Sequence, residues 1–268
     1  MSTIALLTDF GHQDSYVGVM KGVMAGIAPN AQTIDLTHGI PPQDLHAAAF
    51  ALLTSYKFFP KDTIFCCVVD PGVGGDRLAV AARLESQNSG PFYIVCPDNG
   101  LLTPVLHELP AAAAVTLDNP IYHLGQTSAT FHGRDIFAPV AAHLAAGHAL
   151  AKLGSKLEPG ALIQLDWPQA ERLEDGWRAK VVYIDSFGNL VTNLKGAALE
   201  PPLRNWQIDV RETHLETVSR TFSDVVRGAP LAYVGSSGFL EVALRQGNAH
   251  RELRVDIGET VLVKRRND

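Results

Sequence analysis

Three short, nearly continuous apolar segments in the first hundred residues constrain the fold of this chain more than any other feature. They span Ile4–Leu7, Thr63–Val69 and Phe92–Cys96 and are rich in β-branched and aromatic residues. Such runs are typical of strands that are covered on both faces, as in a parallel sheet. Segments with helical patterns separate them, so this part of the chain predicts a mostly parallel sheet flanked by helices.

The helical patterns lie in three segments. Asp14–Ile27, Gln43–Tyr56 and Asp135–Leu150 carry apolar residues at helical spacing, and the last pattern stops before Gly154. In the first segment, glycines recur at every fourth position, at 18, 22 and 26. Residues with this spacing share one helix face, so we expect a smooth face that packs closely against the sheet.

The pattern changes after residue 158. Two proline-containing segments, Pro159-Gly160 and Asp166-Trp167-Pro168, indicate a connector, and short alternating runs follow it. These runs predict strands at Trp177–Ile184, Leu190–Leu194, Trp206–Val210, Leu231–Val234, Phe239–Ala243 and Thr260–Val263. The predicted fold is therefore α/β: an α/β/α sandwich with a mostly parallel sheet over residues 1–158, a connector over 159–176, and a smaller C-terminal β-barrel over 177–268.

Composition narrows the functional class. Apolar residues make up 46% of the chain, charged residues 19%, and the net charge is −6. This is an ordinary globular composition without the basic surface that nucleic-acid binding needs. No apolar run is long enough to span a bilayer, and the N-terminus opens directly into the first strand, so we expect a cytoplasmic protein. The three cysteines, Cys66, Cys67 and Cys96, are predicted to be small buried residues without redox or metal chemistry.

Polar side chains follow each of the three apolar segments. The first strand runs into Thr8-Asp9-Phe10-Gly11, the second into a glycine-rich segment that begins at Asp70, and the third into Pro97-Asp98-Asn99-Gly100. Asp, Asn and Gly are common in ordinary turns, which is one interpretation of each segment. Because ligands of open α/β sheets bind beyond the carboxyl ends of the strands, three such ends favour a binding pocket at this edge.

Several chemistries lack their sequence signatures. No G-x-G-x-x-G follows the first strand, and no G-K-[ST] or G-x-S-x-G occurs, which argues against dinucleotide binding, a P-loop and a serine nucleophile. His132 precedes Gly133-Arg134-Asp135 at the start of a predicted helix, where Asp135 is expected to be the cap. His132 and Asp135 could also bind a metal ion, but no second histidine has ligand spacing to His132, and no metal or cofactor is predicted.

Six motifs together resemble the S-adenosyl-L-methionine (SAM) hydroxide adenosyltransferases, which are adenosine-forming SAM hydrolases related to fluorinases and chlorinases. In order along the chain they are LTDFG (7–11), VDPGVG (69–74), PDNGLL (97–102), TFHGRDIFAP (130–139), IDSFGNLVTN (184–193) and SSGFLE (236–241). The resemblance covers nearly the whole chain. It implies an α/β/α domain followed by a β-barrel, a homotrimer with sites at subunit interfaces, and hydrolysis of SAM to adenosine and L-methionine.

The resemblance also implies roles for individual residues. Asp70, Arg77 and His132 correspond to the family's catalytic set. Asp9 corresponds to the residue that holds the ribose hydroxyls. The remaining substrate-binding positions lie in the second domain: Asp185 for the methionine ammonium, Phe187 and Asn189 for the adenine, and Ser236 for the methionine carboxylate. Ser237 differs from the halogenases, which have an arginine at that position.

Three other functions remain open at this point. Halide transfer to the adenosyl group is disfavoured, because halogenases replace the acid at position 70 with a tyrosine and lack a histidine at position 132. A metal-dependent nucleotide hydrolase would use His132 and neighbouring carboxylates, and a non-catalytic sensor would bind SAM without cleaving it. For Asp70 and Arg77, a purely structural ion pair is the alternative to a catalytic role.

Overall fold

The structure, a computed structural model, describes residues 2–86 and 90–266. The chain separates into two compact units, Met1–Asp166 and Trp167–Asp268. Within the described residues, no helix is both long and apolar enough to cross a membrane.

In the described part of the first unit, the strands form a seven-stranded sheet in the order β2-β1-β3-β5-β4-β6-β7. The strands are β1 (Thr3–Thr8), β2 (Gln32–Thr37), β3 (Ile64–Val68), β4 (Ala79–Ser86), β5 (Gly90–Pro97), β6 (Ala111–Thr116) and β7 (Lys156–Leu157). The neighbouring strands β2, β1, β3 and β5 pair in parallel. The pairs of β5 with β4, β4 with β6, and β6 with β7 are antiparallel. The predicted α/β fold class is confirmed, and the parallel half of the sheet contains the three strands that the sequence predicts.

The helices of this unit are α1 (Tyr16–Ile27), α2 (Leu45–Ser55), α3 (Thr103–Glu108) and α4 (Ala138–Ala145). Helix α1 buries Val17, Met20 and Met24. The predicted packing of its glycine face against the sheet is wrong, because Gly18, Gly22 and Gly26 are exposed. The large apolar side chains of α1 bury far more area than glycine can, so they and not the glycines determine which face meets the core.

A π-helical turn, Gly133–Phe137, directly precedes helix α4 and continues into it. Pro139 lies in the first turn of α4. The predicted helix therefore starts two residues earlier than expected and ends at Ala145, before Leu150. Asp135 is not the helix cap that the sequence suggests. It lies inside the π-helical turn, where its carboxylate accepts from the backbone N–H of Ser128 at 2.8 Å.

The second unit consists mainly of one strongly curved sheet, in the order β12-β11-β16-β9-β10-β15-β14-β13, with β8 paired to β9. Its elements are β8 (Glu171–Arg172), β9 (Gly176–Ile184), β10 (Leu190–Lys195), β11 (Trp206–Val210), β12 (Thr213–Leu215), β13 (Val218–Ser219), β14 (Pro230–Val234), β15 (Phe239–Leu244), α5 (Ala249–Leu253) and β16 (Thr260–Arg265). Strands β12 and β14, from opposite ends of this order, contact each other, so the sheet is nearly closed into the predicted barrel.

Each unit has its own apolar core. In the first, side chains of β1 and β3, such as Leu6 and Cys66, pack against α1 and α4. In the second, Trp206 and Ile208 of β11 pack with side chains of the neighbouring strands. Cys66, Cys67 and Cys96 are free and buried, and burial raises the pKa of all three thiols, as expected for residues without redox chemistry.

Candidate active site

A cleft of about 300 Å³ lies at the carboxyl ends of β1 and β3. These strands are parallel neighbours, with Thr8 paired to Val68, so the segments that follow them emerge side by side. The cleft is lined by Asp9, Phe10, Tyr16, Gln43, Val68, Asp70, Val73, Thr130, Phe131, His132 and Gly133. The pocket predicted at this edge is therefore present, and it contains Asp9, Asp70 and His132.

Arg77 joins Asp70 to His132. Its Nε donates to both carboxylate oxygens of Asp70, at 2.9 and 3.1 Å, and its Nη2 donates to Oδ2 of the same carboxylate. The same Nη2 lies 2.7 Å from Nδ1 of His132. The Arg77 and Asp70 side chains are only 11% and 6% exposed, so water competes weakly for this pair. Asp70 and His132 line the cleft, and Arg77 lies behind them.

The glycine-rich loop after β3 packs against the segment that carries His132. Gly74 has φ of +77°, and a Cβ at this position would lie 2.3 Å from the carbonyl oxygen of Ala129. Only glycine has both this backbone conformation and this close approach without strain. The loop therefore brings Arg77 to His132, although the two residues are 55 positions apart.

The contact with Arg77 determines the protonation state of His132. A guanidinium can only donate, so Nδ1 of the imidazole must accept, and the neutral ring then has its hydrogen on Nε2. Burial and the Arg77 charge lower the pKa of His132, while the Asp70 and Asp135 carboxylates and a backbone hydrogen bond to Ser128 raise it, and the lowering effects prevail. His132 is therefore a neutral donor that has no free lone pair on its ring nitrogens.

A second ion pair fixes the segment that carries His132. Arg134 donates from Nε to Oδ1 of Asp135 at 2.6 Å and from Nη2 to Oδ2 at 3.0 Å, and Asp135 is fully buried. Burial raises the pKa of Asp135, but the hydrogen bonds from Arg134 and Ser128 outweigh it and lower the pKa below its ordinary range. Asp135 is thus an anchor for residues 128–135 and is not among the residues that line the cleft.

Asp9 is held by the backbone around it. Its Oδ2 accepts from the N–H of Gln43 at 2.8 Å, and Gln43 has φ of +66°, a strained conformation for this residue. At the start of the same turn, the Thr8 hydroxyl accepts from the N–H of Phe10 at 3.2 Å and lies 2.8 Å from Nδ1 of the buried His38. These contacts leave Oδ1 of Asp9 for a ligand.

A larger cleft of about 860 Å³ lies in the second unit. It contains every substrate-binding residue that the resemblance implies for the second domain. Its lining residues are Asp185, Phe187, Asn189, Phe222, Tyr233, Ser236, Glu241, Leu244, Gln246, Gly247 and Asn248.

Asp185 holds the turn that carries Phe187 and Asn189. Its Oδ1 accepts from the N–H groups of Phe187 and Asn189 at 2.9 and 2.8 Å, and its Oδ2 accepts from Nδ2 of Asn189 at 2.8 Å. The Phe187 ring is 75% exposed, which is unusual for a large apolar side chain. Such a ring on a rigid turn can bind a flat, aromatic ligand group by stacking.

The third polar strand end does not join the first cleft. Asp98 is buried and accepts from the N–H of Ile163 at 2.9 Å, and burial raises its pKa. The Asn99 side chain donates to the carbonyl oxygen of Val69 at 2.9 Å. Both residues are absent from the lining of the cleft. Their pattern is that of an ordinary structural turn, the alternative interpretation of this segment.

Sequence reasoning missed several lining residues. In the first cleft, Phe10, Tyr16 and Phe131 form a cluster of rings with centroids 5.2–6.0 Å apart. In the second, Tyr233 and Glu241 lie on β14 and β15. The aromatic residues carried no distinguishing signal. Glu241 did, because it is an acidic residue in the otherwise apolar strand Phe239–Leu244, where a carboxylate has no structural purpose.

The two clefts and the two-unit fold define a class: an α/β domain with an Asp–Arg–His site, followed by a β-barrel with a second, aromatic-rimmed cleft. The family model of the SAM hydroxide adenosyltransferase N-terminal domain matches residues 4–154, and that of the C-terminal domain matches residues 179–262. The chain belongs to the SAM hydroxide adenosyltransferase family, as predicted from its motifs.

Individual relatives agree with this assignment. The chain is 41% identical to an (R)-S-adenosyl-L-methionine hydrolase of Salinispora arenicola over 97% of both chains. It is 40% identical to a protein of the same name from Thermus thermophilus, over 97% of this chain and 99% of the relative. A solved structure, that of an uncharacterized conserved protein from Thermotoga maritima, has a TM-score of 0.89 and 35% identity, with 98% of this chain and all of the other covered. The predicted enzyme class agrees with the names of both hydrolases.

Proposed function

We propose that this protein hydrolyses S-adenosyl-L-methionine to adenosine and L-methionine, with water attacking the ribose C5′. The observation that carries the proposal is the Asp70, Arg77 and His132 network, which presents two polar groups to the first cleft and keeps the guanidinium behind them. The names of the two hydrolases similar to this chain support the same reaction.

The chemistry needs an oriented nucleophile and little else. As the oxygen of water forms a bond to C5′, the C5′–S bond breaks, its electron pair stays on sulfur, and methionine leaves as a neutral thioether. The leaving group therefore takes no proton, and no general acid is required. This explains why a site without a nucleophilic serine or cysteine suits the reaction.

Asp70, Arg77 and His132 each have a different role in activating the attacking water. His132 can only donate to the water, through an Nε2–H that it shares with the Ser128 backbone, because Nδ1 is occupied by Arg77. Asp70 is the proton acceptor: a carboxylate has about four acceptor positions, and Arg77 occupies three of those on Asp70. Arg77 fixes both partners and stabilises the negative charge that develops on the water oxygen. The proton then passes from Asp70 to solvent.

The substrate contacts divide between the two clefts. Asp9 accepts from the ribose hydroxyls through Oδ1. In the second cleft, Phe187 stacks on the adenine, Asn189 hydrogen-bonds to it, Asp185 accepts from the methionine ammonium, and Ser236 donates to the carboxylate. No cofactor or metal takes part. Among the described residues, no group of three or more His, Cys, Asp or Glu side chains is placed to hold a metal ion, which disfavours a metal-dependent nucleotide hydrolase.

One substrate must contact both clefts, and each is lined by residues of one unit alone. On the family resemblance, we propose a homotrimer in which the β-barrel of one subunit meets the α/β domain of the next. Asp9→Ala and Asp185→Ala proteins should each be nearly inactive. In mixed rings about a quarter of the interfaces combine two intact halves, so activity should recover to about that fraction. Verified mixed trimers without recovery, or a monomer in solution, would exclude this arrangement.

The proposed location is the cytoplasm, a reducing compartment in which three free cysteines are stable. Product analysis tests the proposed reaction. The pure protein is incubated with SAM, with and without EDTA, and the products are identified by mass. Adenosine and methionine in equal amounts, unaffected by EDTA, are expected. A 5′-halo nucleoside in the presence of halide, activity lost with EDTA, or binding without products would each favour one of the alternatives.

A further inference from the structure

Two carboxylates line the second cleft, and they differ in their partners: Asp185 accepts from backbone N–H groups, whereas Glu241 accepts from side-chain hydroxyls. Asp185 accepts three hydrogen bonds within its own turn, which leave one acceptor position on Oδ2. Glu241, on β15, makes no comparable contribution to the backbone. Its Oε2 accepts from the hydroxyl of Tyr233 and its Oε1 from the hydroxyl of Ser237 at 3.3 Å, so each oxygen keeps one acceptor position.

Glu241 is held rigidly by side-chain contacts and by packing at the turn between β14 and β15. It is 8% exposed, and a Cβ at position 235 would lie 1.9 Å from its Oε1, so the carboxylate packs directly on the backbone of Gly235. Tyr233 is itself fixed by the Phe222 ring, whose centroid is 4.8 Å away. A carboxylate held in this way at the wall of a cleft presents its remaining acceptor positions in a fixed geometry.

Within residues 2–86 and 90–266, no cationic side chain pairs with the Glu241 carboxylate. The groups that act on it are the Tyr233 and Ser237 hydroxyls and the Asp185 carboxylate. Burial and the Asp185 charge raise the pKa of Glu241, and the two hydroxyls only partly offset them. A buried carboxylate is unfavourable unless a cation compensates it, and a second carboxylate nearby strengthens the requirement. The cleft is therefore built for a ligand that brings a positive charge.

We propose that Glu241 is a specificity-determining residue, which completes with Asp185 a two-carboxylate site for the α-ammonium group of the substrate. This proposal rests on the proposed function. An ammonium has three donors, and the two carboxylates retain three acceptor positions between them, one on Asp185 and two on Glu241. Tyr233 positions the Glu241 carboxylate, and Asp185 both binds the ammonium and holds the turn of Phe187.

The test pairs a change in the protein with a change in the substrate. Wild type and Glu241→Gln are compared on SAM and on the analogue in which hydrogen replaces the α-amino group. Glu241→Gln should lower kcat/KM for SAM by about tenfold to a hundredfold, the loss expected for a hydrogen bond to a charged group. On the analogue, kcat/KM of Glu241→Gln should stay within about twofold of the wild-type value, because the analogue has no ammonium group for Glu241 to bind. Glu200→Gln, the same change at an exposed carboxylate of this unit, should alter neither.

An equal loss on both substrates would overturn the proposal, because it would make Glu241 merely structural. Tyr233→Phe keeps the carboxylate and removes one donor, so it should reduce the preference for SAM without abolishing it, which covers the case in which Glu241→Gln does not fold. If wild type binds SAM but releases no methionine, the proposed function fails. In that case, calorimetric Kd values of wild type and Glu241→Gln for SAM and for the analogue still decide the role of Glu241.

Discussion

Replacing Arg77 with methionine removes the guanidinium, which contacts Asp70 and His132 and lies over the Phe137 ring, but keeps most of the apolar stem of the side chain. The change removes four hydrogen bonds, three to the carboxylate and one to the imidazole. Losing one preorganised donor raises a barrier by roughly 3 kcal/mol, so kcat should fall by about 10²-fold. KM for SAM should change little, because Arg77 does not line the cleft.

The same substitution should lower the free energy of unfolding, since Asp70 is left buried without its partner. Breaking such a pair costs about 3–5 kcal/mol. Activity is therefore measured by methionine release at a temperature where circular dichroism shows the variant to be folded. Arg77→Lys keeps the positive charge but not the planar guanidinium, so its kcat should lie between those of the wild type and Arg77→Met. Arg83→Met, which removes the exposed ion pair with Glu85, is the control and should behave as wild type. A folded Arg77→Met protein within threefold of wild-type kcat would refute the reasoning.

Two further outcomes follow from the geometry. Burial and Arg77 hold the pKa of His132 below its ordinary 6.5, and only the neutral ring can accept from Arg77, so the acid limb of kcat against pH in the wild type should lie below 6.5. Arg77→Met has no guanidinium that requires a neutral ring, so this limb should be lost; a limb retained at the same pH would assign it to another group. Phe187→Ala should raise KM by roughly tenfold at nearly constant kcat and melting temperature, as expected for a stacking contact of ~1–3 kcal/mol. The control Ile121→Ala, at another exposed apolar residue, should leave KM unchanged, and an unchanged KM in Phe187→Ala would contradict the stacking role.

Strong periodic signals in the sequence predicted the central elements well. The buried strands β1, β3 and β5 and the six main strands of the barrel have continuous or alternating apolar patterns, and burial enforces such patterns. Strands with mixed or alanine-rich sequences were missed, among them Gln32–Thr37 and Ala111–Thr116. Alanine has low strand propensity, so the pairing of Ala111–Thr116 with β4 depends on its tertiary neighbours and not on its own sequence.

The candidate site was predictable only in part, for a similar reason. The family resemblance predicted that Asp70, Arg77 and His132 form one catalytic set, but the direction of the Arg77 contact, and with it the tautomer of His132, depends on how the loop at Gly74 approaches Ala129. That approach joins segments distant in sequence, and no local pattern encodes it. Asp98 shows the converse: its motif looked functional, but its carboxylate serves the backbone of Ile163.

The most direct test of the central claim follows the oxygen of the attacking water. The protein is incubated with SAM in water enriched in ¹⁸O, and the adenosine and methionine formed are analysed by mass spectrometry. We predict one ¹⁸O atom in the adenosine 5′-hydroxyl, none in methionine, and equal amounts of the two products, because the C5′–S bond breaks as the C5′–O bond forms. Unlabelled adenosine, or homocysteine or methylthioadenosine as the main product, would contradict water attack at C5′.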